Sequence, residues 1–173
     1  MAFSPTDLSD VMQGACSMDA GIGPVYRPLR RFAGPAVTVA VPAGSVEVRR
    51  IAMDLAQPGD VLVVAAGAIS AFAVLGGRLA ERLKRQGLAG VVIDGHVRDV
   101  TEIEMTGLPV LCRGQSLRRP PATGPGEVNV AVACGGIVVS PGDVIVADAD
   151  GAVAVPRAAA AGVLAAAREY EAA

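Results

Sequence analysis

The densest group of polar side chains is DGHVRDVTEIE, residues 94–104. It follows directly on the apolar run Val91–Ile93, at the C-terminal end of a buried strand, where α/β proteins commonly place their sites. Asp99 and Glu102 are three residues apart and share one face if a helix begins there. Two carboxylates on one face suit a hard dication such as Mg²⁺, which takes few protein ligands and keeps several waters. Arg98 beside them carries the planar fork that grips a substrate carboxylate through two parallel hydrogen bonds. A plainer arrangement uses the same residues: Asp99 and Glu102 complementing a helix N-terminus, with Arg98 in a surface ion pair. His96 alternates with Arg98 and is either a proton carrier or a hydrogen-bonding residue beside a turn.

Much other chemistry is excluded. His96 is the only histidine, so one chain cannot build a multi-histidine zinc site. Neither a phosphate-cradling Walker loop nor GxGxxG occurs, and there is no GxSxG elbow. Lys84 is the only lysine and lies in ERLKR (residues 81–85), a solvated helix face unsuited to a Schiff-base amine. Cys16, Cys112 and Cys134 form no CxxC pair and read as thiols in a reducing compartment.

The 173 residues suffice for one domain, spanning 1–173, with a sizeable core. Apolar residues make up 52% and aromatics only 3%, so that core is built from small and β-branched side chains. A net charge of −2 gives no electrostatic footprint for nucleic acid or an anionic membrane. The longest uncharged stretch, residues 61–77, contains glycines and reads as a strand followed by a helix rather than a span. With no basic, apolar leader at the start, a cytoplasmic location is expected.

The elements that must position the polar cluster are mixed α and β. Strands are expected at Ala36–Val41, Val61–Val64, Val91–Ile93, Val128–Val132, Ile137–Val139, Val144–Ala147 and Ala152–Val155. Helices are expected at Thr6–Gln13, Val46–Ala56, Ser70–Gln86 with Gly87 as its terminator, briefly after Asp99, and at Arg157–Tyr170. Pro58-Gly59-Asp60 and Pro141-Gly142-Asp143 are matching turns, each feeding a hydrophobic strand. Asp148 to Gly151 reads as a hairpin turn. The pairs Arg30-Arg31, Arg49-Arg50 and Arg118-Arg119 read as solvated edges. The fold class is α/β with a strand-rich C-terminal half.

GVVIDGHVRD over residues 90–99 resembles the signature of the RraA-like family. That family includes 4-hydroxy-4-methyl-2-oxoglutarate aldolases, oxaloacetate decarboxylases and a regulator of ribonuclease activity. Ser9-Asp10, AGPAVTV (33–39), PGDVLVV (58–64), GLPV (107–110), GGIVV (135–139), PGD (141–143) and ADADG (147–151) follow in the family's order. The resemblance implies a compact α/β/α domain assembling as a ring-like homotrimer, or a hexamer. It also implies a class II lyase that uses Mg²⁺ or Mn²⁺ to stabilise a pyruvate enolate from a small 2-oxo acid. Arg98 would hold the pyruvyl group, Asp99 would anchor the metal and Glu102 would support it through water. Gly76, Gly77, Arg78 and Leu79 would offer backbone amides to the substrate carboxylate. One position departs from the family pattern: where active members carry Asp or Glu, with twenty residues between it and the arginine, this chain has Gly77. The family's other branch implies a non-catalytic regulator that binds a ribonuclease.

Overall fold

The valine-rich runs become neighbours in one curled sheet. The computed structural model describes residues 3–42, 45–67 and 71–172. In chain order the elements are α1 (Pro5–Val11), β1 (Gly23–Pro24), β2 (Phe32–Ala40), α2 (Val46–Leu55), β3 (Val61–Ala65), β4 (Ala73–Leu75), α3 (Gly77–Gln86), β5 (Gly90–Val97) and α4 (Val100–Thr106). They continue as β6 (Val110–Gln115), β7 (Glu127–Val128), β8 (Val132–Cys134), β9 (Ile137–Val139), β10 (Val144–Asp148), β11 (Gly151–Val155), a 3₁₀ turn (Arg157–Ala159) and α5 (Ala160–Glu171). The main sheet runs β1-β6-β5-β3-β2-β10-β11, with β4 on β5 and β7 on β2. β2, β3, β5 and β6 are parallel, with helices in the crossovers, while β1, β10 and β11 add antiparallel edges. No described helix is long and apolar enough to cross a membrane.

The central strands read as continuous apolar runs because both faces are buried. Leu62 and Val64 point with Val91 and Ile93 toward Met53, Leu83 and Ile103 of α2, α3 and α4. Their alternates Val61, Val63 and Val92 face a second core, which the β8–β9 hairpin fills with Val132, Cys134 and Val139. Ile22 and Leu111 from one end of the sheet meet Ile145 and Ala152 from the other in that core, so the sheet is nearly closed. Leu8 and Ala167 of α1 and α5 cover Val146, Val153 and Val155. The mixed α/β class expected from the sequence is the class observed.

Local signals explain the element ends. Ser4 caps α1 through a reciprocal bond pair with Asp7, and Gly87 ends α3 in the left-handed region at φ 87°. The two Pro-Gly-Asp turns use one solution: Asp60 Oδ2 accepts from Gln57 N at 2.7 Å, and Asp143 Oδ2 accepts from Ser140 N at 2.8 Å. The strands they feed, β3 and β10, flank β2 on its two sides. The Asp148–Gly151 turn joins β10 to β11, with Asp150 N donating to Asp148 Oδ1.

Two expected elements differ. The helix placed at Ser70–Gln86 begins only at Gly77: Ala73–Leu75 pairs with β5 as β4, extended Gly76 (φ −144°) caps the helix, and Ser70 lies outside the described residues. The strand expected at Val128–Val132 is cut in two by Asn129 at φ 55°, a conformation that asparagine tolerates better than valine. β6 went unanticipated because Arg113 interrupts it. That guanidinium instead pairs with Asp94 and Asp19.

Candidate functional site

A change of partner along β5 assembles the site. β5 pairs with β3 as far as Asp94, then with β4 from His96, across an irregularity between Ile93 and His96. Such a bulge bends the strand and re-aims its tip. Arg98 N donates to Leu75 O at 3.0 Å, so the tip of β5 and the start of α3 are held together. Gly76 and Gly77 permit the approach. A Cβ on Gly76 would lie 2.6 Å from Asp99 Oδ2, and one on Gly77 would lie 2.5 Å from Glu102 Cβ.

Asp99 stands at the N-cap position of α4 in the left-handed region, φ 57° and ψ 47°, and makes no cap bond to its own helix. Its Oδ2 instead accepts from Gly77 N at 3.2 Å and lies 3.6 Å from Arg98 Nε. A non-glycine residue held at positive φ costs of order 1 kcal/mol and persists where the surroundings over-determine it. Asp99 therefore complements a helix N-terminus, but that of the neighbouring α3 rather than of its own α4, and Arg98 is ion-paired to it.

Beside this pair opens a cleft of about 530 Å³, lined among others by Gly76, Arg78, Leu79, Arg98 and Asp99. Five of the sequence-predicted site residues thus meet there. Gly77 is buried, with its amide engaged by Asp99, and Leu79 N is bonded to Gly76 O. Glu102 is exposed one turn into α4, and its stem lies against Gly77. His96 contacts Gly114 from the sheet, and its Nδ1 is buried without a hydrogen-bond partner among the described residues. It does not line the cleft.

Arg49 and Arg119 line the same cleft, and sequence reading missed both by treating their Arg-Arg pairs as solvated edges. Arg49 Nη1 donates to Val74 O and its Nε to Ser45 O at 3.2 Å. Burial, then repulsion from Arg98 and Arg119, lowers its pKa to about 10, so it stays charged at neutral pH. The two segments share a wall, because Val46 N at the start of α2 donates to Pro121 O. Nothing in the local sequence marks these arginines; only the topology brings them to Arg98.

No three His, Cys, Asp or Glu side chains converge on a metal site among the described residues. The stems of Asp99 and Glu102 flank Gly77, and of the two only Asp99 lines the cleft, so the chain itself offers a dication one carboxylate there. Behind the site, Arg113 bridges Asp94 at 2.6 Å and Asp19 at 2.8 Å, while Asp94 Oδ2 accepts from Gly135 N. This network ties β5 and β6 to the loop before β1 and to the β8–β9 hairpin.

The sequence profile described as RraA-like, Aldolase/RraA, matches residues 5–154. A protein of Halalkalibacterium halodurans, provisionally named a 4-hydroxy-4-methyl-2-oxoglutarate aldolase, is 35% identical over 167 residues, covering 96% of this chain and 79% of the relative. Among solved structures, Streptomyces coelicolor RraAS2, described as an unusual member of the RNase ES inhibitor RraA protein family, superposes with a TM-score of 0.86 at 31% identity, covering 98% of this chain and 88% of that one. The RNA-processing inhibitor RraA from Thermus thermophilis gives 0.79 at 32% identity, covering 90% of this chain and 94% of its own.

Proposed function

Because this chain belongs to the RraA-like family, Aldolase/RraA, we propose that it is a carbon–carbon lyase that cleaves 4-hydroxy-2-oxo diacids, such as 4-hydroxy-4-methyl-2-oxoglutarate, to pyruvate. The observation that carries this reading is the Arg98–Asp99 pair at the strand tip, with Asp99 held at positive φ and turned onto the amide of Gly77.

In retro-aldol cleavage the 4-hydroxyl loses its proton, the C3–C4 bond breaks, and its electron pair moves onto the C2 carbonyl oxygen as an enolate. Protonation at C3 then yields pyruvate. Decarboxylation of oxaloacetate passes through the same enolate, so one site serves both reactions. Arg98 grips the pyruvyl carboxylate and places its charge beside the developing oxyanion. A divalent cation such as Mg²⁺ or Mn²⁺, when bound, supplies Lewis-acid stabilisation of that oxygen. Asp99 would hold it, with Glu102 supporting its waters. Gly76 and Gly77 keep the α3 start close to the strand tip, where the Gly77 amide orients Asp99.

The test is release of pyruvate from oxaloacetate and from 4-hydroxy-4-methyl-2-oxoglutarate, with Mg²⁺ and with EDTA. Chelation is expected to abolish release, and Arg98→Ala to lower it about 10²–10³-fold, the loss typical of one oxyanion donor. Activity indifferent to EDTA, Arg98→Ala and Asp99→Ala refutes the mechanism. A homotrimeric ring belongs to the same proposal and is checked by light scattering at three times the 17.4 kDa chain mass.

The bare Gly77 favours a second reading, a non-catalytic regulator of a ribonuclease, since the site then lacks one acid for a dication. Capture of ribonuclease E together with failure to bind Mn²⁺ would select it.

A further inference from the structure

We infer that Arg49 and Arg119 form a second anion subsite, which selects ligands carrying a carboxylate distal to the 2-oxo acid end. Four arginines, Arg49, Arg78, Arg98 and Arg119, line one cleft in which Asp99 is the only carboxylate among the described residues. Among those residues no carboxylate lies within ion-pair distance of Arg49, Arg78 or Arg119. Three positive charges are therefore left uncompensated. Guanidinium groups gathered at this density repel one another, and an anionic occupant relieves that repulsion.

The charges are arranged on two walls. Arg78, Arg98 and Asp99 belong to the α3 start and the β5 tip; Arg49 and Arg119 belong to α2 and the segment after β6. Arg49 is oriented by the carbonyls of Ser45 and Val74 rather than by an acid, so its charge is held in place without being neutralised. The depressed pKa of Arg49 reflects, after burial, the proximity of Arg98 and Arg119. A monocarboxylate on Arg98 leaves the opposite wall unpaired, whereas a diacid spans both walls. This assignment rests on the lyase reading only in taking the Arg98 wall as the pyruvyl end.

Calorimetric titration in Mg²⁺ buffer with 2-oxoglutarate and with 2-oxopentanoate tests it. The two ligands share a five-carbon 2-oxo acid chain, differ in the distal carboxylate and lack the 4-hydroxyl needed for cleavage. Wild type is expected to bind 2-oxoglutarate at least about 10-fold more tightly, as a charge-assisted pair provides. Arg119→Gln and Arg49→Gln should each lower that ratio severalfold. Arg119 is exposed, so its variant keeps the test intact should Arg49→Gln misfold, and Arg49→Lys gives the second reading at that position. A ratio near one in wild type, a ratio unchanged in the Arg119 variant, or no binding of either ligand overturns the subsite. Selective binding without pyruvate release would uphold the subsite and remove the lyase reading; pyruvate release without selectivity would do the reverse.

Discussion

Replacing Gly77 by alanine probes the contact on which the site is built. The new Cβ would lie 2.5 Å from Glu102 Cβ, 3.3 Å from its Cγ and 3.6 Å from Asp99 Cβ. Carbon atoms pack at about 3.5–4.0 Å, so the first contact is deeply repulsive. Glu102 Cβ is fixed to the α4 backbone and cannot swing aside, so α3 and α4 must part. Overpacking of this kind costs about 1–3 kcal/mol, and the better helix propensity of alanine returns about 1 kcal/mol or less. A net loss of about 1–2 kcal/mol lowers Tm by roughly 2–8 °C for a chain of this length. Urea and thermal unfolding measure it, with Gly162→Ala as the control. Gly162 lies within α5, and a Cβ added there meets nothing within 4 Å, so that change should stabilise by about 0.5–1 kcal/mol. A Gly77→Ala protein as stable as wild type, alongside the expected gain at Gly162, refutes the tight α3–α4 approach.

Asp99→Gly, relieved of its left-handed strain, should be about 1 kcal/mol more stable than Asp99→Ala by urea unfolding, with both losing pyruvate release. Arg113→Ala strands the largely buried Asp94 carboxylate and should cost about 3 kcal/mol, read the same way. Acid sensitivity follows from Asp19 and Asp7, whose carboxyls are held below their usual range by hydrogen bonds from Arg113 and Ser4 respectively. Both contribute stability that is present above about pH 4, the unfolded carboxylate range, and lost as pH falls through their lower folded values. A pH series should show that decline, with the Asp19 share reduced in Arg113→Ala to what the Gly21 amide alone sustains. Burial pushes the Cys112 and Cys134 thiols up to about 11 and about 12, so at pH 8 a thiol reagent should titrate Cys16 quickly in native protein and all three cysteines only after unfolding.

The strand framework was legible wherever a β-branched run met a Pro-Gly-Asp turn, because burial on both faces and turn chemistry act locally. The Arg98–Asp99 pair was legible for the same reason: a polar cluster directly after an apolar strand is conspicuous. β4 was hidden because three residues inside an alanine-rich stretch carry no periodicity, and the sheet rather than local propensity makes them a strand. β6 was hidden because Arg113 breaks its apolar run, and the partners that bury that guanidinium lie nineteen and ninety-four residues away in the chain. Arg49 and Arg119 looked like ordinary surface charges, and the sequence carries no sign that α2 and the segment after β6 converge on β5.

The bulged end of β5 carries two fixtures on one short rod: Asp94, clamped by Arg113 and Gly135, and Arg98, whose amide is fastened to Leu75. Only a few residues separate them, so the strand works as a ruler between the interior clamp and the reactive end. Adding or removing one residue there would turn the side chains beyond it to the other face of the sheet and take the guanidinium out of the cleft. The opposite wall reaches the cleft by separate routes, Arg49 on α2 and Arg119 after β6, so its charges do not depend on that spacing.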